Sequence, residues 1–352
     1  MFFSSFKYKT TGWSLEDMSS LEITNLLVGK NASGKTRIIN ALLNVTSFIC
    51  GKPKMFRDRE FAANIVLIDD DKSCLDYSFE VANGIIISER LHVNNEVLVN
   101  RELSSTYFMG EIINPPADKL VVQVRRDRDV YPEIEAIMDW ADGVTFISCS
   151  NLNPYTIYSG PNELINPITF SEMVSSLSYE ETKNVIDGAH QLGYDILQIS
   201  AVEFNSELKY VSVKENGVQD NIVDFQLSNG MMRVLYLLCY IEYMKKCKKC
   251  NMLLIDDLGE GLDYSRATLL GCKVFNACEK AGVQLIASSN DSFLMDVVDI
   301  SHWQILNRRK GEIVTLNSKN STDLFNDFRM TGLSNFDLFS SDFIDNYIAK
   351  ES

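Results

Sequence analysis

The sequence predicts an α/β fold built around a phosphate-binding loop. Three observations carry this: a glycine-rich loop set between an apolar run and a helical pattern, a run of short alternating strands, and an apolar strand ending in two carboxylates. The loop is Gly29-Lys30-Asn31-Ala32-Ser33-Gly34-Lys35-Thr36, which fits G-x-x-x-x-G-K-[ST]. Leu26-Leu27-Val28 before it reads as a buried strand, and Ile38, Ile39, Ala41, Leu42 and Val45 after it recur at helical spacing. Glycines at 29 and 34 let backbone N–H groups curl around a polyphosphate, and the helix that follows adds its positive dipole end. Lys35 is then the cation for the terminal phosphates, and Thr36 offers its hydroxyl to Mg²⁺. A polyphosphate and Mg²⁺ are the expected ligands.

From about residue 64 to 101, Ile65-Val66-Leu67-Ile68, Leu75 to Val81, Gly84 to Ile87 and Val97-Leu98-Val99 read as short strands joined by Asn or Gly turns, an antiparallel subdomain. Tyr131-Pro132-Glu133-Ile134 opens a helix with Ile134, Ile137, Met138 and Ala141 on one face and Trp140 in the core. A helical hairpin is expected from about Ser171 to Leu192, with a capping box at Ser178-Tyr179-Glu180-Glu181 and a stop at Gly193. No heptad array is long enough for a coiled-coil arm.

Met252-Leu253-Leu254-Ile255-Asp256-Asp257 is a buried parallel strand that brings acid to its C-terminal end, where open α/β sheets bind nucleotides. Asp256 suits the water shell of Mg²⁺, and Asp257 the general base for an attacking water. The plainer reading is a strand followed by an acidic turn, because Leu258-Gly259-Glu260-Gly261 is turn-like. Leu227-Ser228-Asn229-Gly230 precedes an apolar helix containing Met231, Met232, Val234, Leu235, Leu237 and Leu238. Alone it reads as an N-capped core helix. Ser228 and the N–H groups of the helix start also make a second anion site.

In this order the motifs resemble ABC-type P-loop ATPases, with Leu227 to Gly230 as the LSxG signature, Glu260-Gly261-Leu262-Asp263 as the D-loop, and Gln284 to Asn290 as the strand leading to the switch. The resemblance implies a P-loop NTPase head of ABC type, working as a homodimer with shared ATP sites. It assigns Gly29, Lys30, Asn31, Ala32, Ser33, Gly34, Lys35, Thr36, Ser228, Gly230 and Asp263 to ATP, and Thr36 and Asp256 to Mg²⁺. Gly29-Lys30-Asn31 and the pattern from Asp256 to Leu262 are similar to the RecF-like, SMC-like and OLD-like branch, which includes stand-alone bacterial ATPases of phage-defence modules. Two positions depart from the family. Asp257 stands where Glu is usual, and Asn290 where His is usual; Asn290 does not titrate near neutral pH. The implied enzyme is a slow ATPase with Asp257 and Asn290 as catalytic residues; Glu260 is the reserve base, although its plainer reading is a structural role in the turn.

The expected organisation is an N-terminal part of the ATPase core over 1–112 with the β subdomain, an inserted helical lobe over 113–202, the rest of the core over 203–319, and an aromatic, acidic segment over 320–352. A formal net charge of −15 on 352 residues argues against a general nucleic-acid binder, so nucleic acid is a disfavoured partner. Local basic runs at Arg125, Arg126 and Arg128, at Lys245, Lys246, Lys248 and Lys249, and at Arg308, Arg309 and Lys310 read as solvated turns or helix ends; the first reads alternatively as sensor arginines. The eight cysteines are scattered, and Cys247-Lys248-Lys249-Cys250 reads as a helix-to-strand turn rather than a metal site. His92, His190 and His302 give a histidine metal site little support. Reduced thiols, no run long enough for a bilayer and no charged region ahead of Phe2-Phe3 imply a cytoplasmic protein without a membrane partner. About sixty residues follow Asn290, too few for a nuclease domain, so a nuclease or toxin effector is expected on a separate chain. The tail residues Leu324, Phe325, Phe328, Phe336, Leu338, Phe339 and Phe343 cap the core or form a docking strip. The function expected is ATP-gated control of that effector in antiphage defence; the alternative is a DNA repair or recombination ATPase of RecF or SMC type.

Overall fold

The computed structural model describes residues 1–52, 60–69, 71–152, 168–203, 209–246, 249–341, 343–344 and 346–347. The chain forms two compact units, Met1–Val144 with Asp299–Ser352, and Thr145–Val298. Cys247 and Lys248 lie outside the described residues; Cys250 is buried.

The first unit opens with β1 (Phe2–Thr10), β2 (Ser14–Met18) and β3 (Thr24–Val28), followed by α1 (Lys35–Ile49). Next come β4 (Glu60–Ile68), β5 (Cys74–Ala82), β6 (Ile85–Val93), β7 (Glu96–Glu102), β8 (Ser105–Phe108), β9 (Glu111–Ile113), the short α2 (Val121–Val124) and α3 (Pro132–Asp142). Strands β4 to β9 form an antiparallel meander. It turns at positive-φ Asn83-Gly84 and Asn94-Asn95, residues that tolerate this backbone. Along β4 and β5, buried residues alternate with accessible ones, so one face of the sheet is core. Helix α1 packs on that face: Phe48 stacks on Phe79 at 5.6 Å and meets Phe61 edge-on at 5.7 Å. Trp140 of α3 is 1% exposed and stacks on Phe3.

Burial also traps a carboxylate in this meander. Glu89 is fully buried, accepts from Tyr77 Oη at 2.8 Å and from the Val121 N–H at 2.8 and 2.9 Å, and lies 4.0 Å from Arg101 Nη1. Arg101 donates in turn to the carbonyls of Lys119 and Pro116. The network fastens the segment before α2 to the sheet. Burial pushes the Glu89 carboxyl up to about 7.

The second unit contains β10 (Val144–Ser148), α4 (Phe170–Ser176), α5 (Tyr179–Gln191), β11 (Ile196–Glu203), β12 (Lys209–Glu215) and β13 (Ile222–Val223). There follow α6 (Asn229–Lys246), β14 (Met252–Asp256), α7 (Tyr264–Ala281), β15 (Gln284–Ser288) and α8 (Ser292–Val297). β14 pairs in parallel with β15, and every residue of both is buried, as expected of strands covered on two sides. β11, β12 and β13 form a separate antiparallel sheet. Ser178 and Glu181 form the capping box at the start of α5, and Gly193 follows its end at φ 77°.

The chain then returns to the first unit as β16 (Trp303–Arg309), β17 (Glu312–Leu316), α9 (Thr322–Arg329) and α10 (Asn335–Ser340). β16 pairs in parallel with β3, and the order continues β3-β16-β17-β2-β1-β4 into the meander. Leu324, Phe325, Phe328 and Leu338 are buried, so α9 and α10 cap the core while Phe336, Phe339 and Phe343 stay partly exposed.

Candidate functional site

In the first unit the loop 29–36 joins β3 to α1. Gly34 adopts φ 113°, and a Cβ there would collide with Ile313; a Cβ at Gly29 would collide with the Ser33 hydroxyl. Only glycine fits either position. Ala32 is also left-handed, at φ 64°. Lys35 is buried and folds under the loop, donating from Nζ to the Gly29 carbonyl at 2.6 Å. Ser33 Oγ is buried without a hydrogen-bond partner, although a buried hydroxyl ordinarily has one. A tight glycine cradle, a buried ammonium and an unsatisfied hydroxyl together fit a polyphosphate. Lys30, Asn31 and Thr36 are exposed.

Arg308 also belongs to this loop, which the sequence reading missed by counting it in a solvated basic run. Its Nη1 donates to the Ala32 carbonyl at 3.0 Å. Lys35 is therefore not the loop's sole cationic neighbour. The only signal in the sequence was that Arg308 ends a strand, and the pairing of that strand with β3 becomes visible only in the fold.

In the second unit, Ser288 at the end of β15 holds the acidic end of β14. Its hydroxyl donates to Asp256 Oδ1 at 2.5 Å and accepts from the Asp257 N–H at 2.9 Å, while its carbonyl accepts from the Leu258 N–H at 2.8 Å. Ser289 Oγ donates to the Leu258 carbonyl and accepts from the Asp291 N–H. Asp256, Asp257 and the switch strand are thus one hydrogen-bonded assembly, with Asn290 exposed beside it. Asp257 has φ 59°, a conformation costly for most side chains and best tolerated by Asn and Asp. This is a local reason for the short carboxylate at a position where a longer one was expected.

Ser228 caps α6, its Oγ accepting from the Met231 N–H at 3.2 Å. A Cβ on Gly230 would stand 3.3 Å from Leu262 and from Tyr194 Oη, so the turn that opens α6 rests on the turn 259–262. Arg233, one turn into α6, ties the two: Nη1 donates to the Glu260 carbonyl and Nε to the Cys149 carbonyl, both at 2.6 Å. Asp263 caps α7 and pairs with Arg266, and that residue's backbone N–H and guanidinium hold the Asp263 carboxyl below its usual range. Ser228, Glu260 and Asp263 are all exposed. Burial pushes the Cys149 thiol up to about 12, so it is no nucleophile.

Arg126 and Arg128 do not stand as loose sensors. Arg126 forks onto Glu135 and Arg128 onto Asp139, fixing the segment before α3 to that helix. Lys245 pairs with Glu242, and Lys246 with Glu181. Among the described residues no helix is long and apolar enough to cross a membrane.

The fold is that of ABC-type ATPase heads, with a glycine-rich loop between β3 and α1. No family model matches the chain, and no curated protein matches it. Solved structures do. An SMC head bound to the C-winged helix domain of ScpA superposes with TM-score 0.59 at 13% identity, over 92% of this chain and 100% of that one. An SMC head with an extended coiled coil, bound to the C-terminal domain of ScpA and derived from Pyrococcus furiosus, gives 0.55 at 11% identity, over 93% and 99%. At such identities the likeness is one of fold.

Proposed function

We propose that this chain is a cytoplasmic, slowly hydrolysing ATPase that dimerises around ATP and passes a conformational signal to a separate effector, a nuclease or toxin of an antiphage module. The observation that supports nucleotide binding most directly is the loop itself, where the Ser33 hydroxyl is unsatisfied and the Lys35 ammonium is poised inside a glycine cradle. In this reading Lys35 and the N–H groups of 31–36 bind the phosphates, and Thr36 and Asp256 are the Mg²⁺ residues. Bound Mg²⁺ supplies charge neutralisation at the phosphates. Asp257 orients and deprotonates water from a backbone that restricts its reach, and Asn290 helps to orient that water by hydrogen bonding. The exposed Ser228 and Asp263 suit contact with the nucleotide of a second copy.

A second reading, a DNA repair or recombination ATPase of SMC type, is favoured by the SMC heads among the structural neighbours. Those heads are described in complex with a partner protein, which equally suits an ATPase that works through a partner. The net charge of −15 weighs against the DNA reading.

Calorimetry and turnover assays test the proposal. Lys35→Ala is expected to weaken ATP binding by about a hundredfold, the scale of a lost charge-assisted contact. Wild-type turnover is expected below about 1 per second, under the common enzyme range, and Asp257→Asn is expected to reduce it further with ATP binding intact. Unchanged ATP binding in Lys35→Ala removes the nucleotide reading; tens of turnovers per second remove the slow switch.

A further inference from the structure

A cavity of about 290 Å³ opens beside the phosphate loop within the first unit. It is lined by the loop from Gly29 to Ser33, by the end of β16 from Ile305 to Arg308, and by Phe339, Ser341 and Ile344 from the C-terminal segment. That segment is anchored. Leu338 of α10 is fully buried, Phe336 and Phe339 lie 6.1 Å apart, and Phe343 meets Phe328 of α9 edge-on at 5.5 Å. Arg308, bonded to the Ala32 carbonyl, holds the loop against the end of β16.

The chemistry of this cavity differs from that of the cradle. The cradle presents N–H groups and an ammonium, which suit phosphate; the rest of the lining adds an aromatic ring, aliphatic side chains, the Ser341 hydroxyl and the amides of Asn31 and Asn307, each carrying both donor and acceptor, with Lys30 and Arg308 as its cations. A nucleoside triphosphate has the same division, with anionic phosphates at one end and a planar, hydrogen-bonding base at the other. We infer that the cavity is the nucleobase site, with Phe339 as the apolar face against the base and Asn307 as the amide at its edge, so that the C-terminal segment determines how tightly the nucleotide is held. This rests on the ATP reading above and assigns the base subsite to residues outside every nucleotide motif of the sequence.

The test compares ATP with inorganic tripolyphosphate, which has the charges and no base, by calorimetry on the full chain with Mg²⁺. Wild type is expected to bind ATP more tightly than tripolyphosphate. Phe339→Ala is expected to lose about tenfold in ATP affinity, the scale of one base–aromatic contact, with tripolyphosphate affinity unchanged. Phe339→Leu, which preserves apolar packing, controls for folding and is expected to lose affinity in the same direction by less. Unchanged ATP affinity in Phe339→Ala, or equal loss for both ligands, overturns the base site and leaves the ATP reading standing. Tighter ATP binding in that variant also overturns it, because the segment then acts as a plug. If wild type binds neither ligand, the ATP reading falls as well.

Discussion

Glu89 illustrates how much a single residue can owe to register. In the sequence it lies in Ser88-Glu89-Arg90, a polar stretch without obvious meaning. Pairing with β7 sets it opposite Arg101 on the covered face, where Tyr77 and the Val121 N–H also reach it. Its carboxyl titrates near 7 in the fold and near 4.5 when exposed. Between those values the unfolded chain is ionised while the folded one keeps its proton, so this group stabilises below pH 4.5 and loses that contribution as pH rises through 7. The whole effect is on the order of 3 kcal/mol. Glu89→Gln is therefore expected to gain stability relative to wild type across this window and to level off above it. Thermal melts at pH 5, 6, 7 and 8 would show the trend; a difference independent of pH would mean that Glu89 titrates like an exposed carboxylate.

Among the elements, Arg233 joins α6 to the turn that holds Glu260, bonding to two carbonyls outside its own helix. Arg233→Ala removes both bonds and is expected to cost about 1–2 kcal/mol, since water can reclaim the exposed Glu260 carbonyl but less readily the part-buried Cys149 carbonyl. The more specific expectation is faster amide exchange at 258–263 than in wild type, with α7 unchanged. Equal exchange in the two proteins would show that Gly230 packing alone holds the turn. The elements themselves were legible beforehand: the loop between β3 and α1, the acidic end of β14 and the capping box of α5 all follow from local pattern. Arg126 was not, because its partner Glu135 is separated from it by a turn and its role depends on where α3 folds back.

For the whole molecule, the exposure of Ser228 and Asp263 suits a dimer closed by nucleotide. Ser228→Asp preserves the cap on α6, since Asp is as good a capping residue, and places a negative charge where a partner's phosphate would approach. Light scattering is expected to show wild type dimerising with ATP under slow-turnover conditions, and the variant remaining monomeric while still binding ATP. A variant that dimerises normally would remove the signature from the interface.

Contiguous residues were enough for the α/β class, the glycine-rich loop between β3 and α1 and the acidic end of β14, because the backbone conformation and burial of each follow from neighbours a few positions away. Only the tertiary structure decided that Ser288 binds Asp256 and Asp257, that Arg308 braces the loop, that Glu89 is buried, and that Phe339 faces the loop's cavity. Those pairings join residues tens to hundreds of positions apart. Their energies come from desolvation and hydrogen-bond geometry, which do not exist until strands have paired in one register.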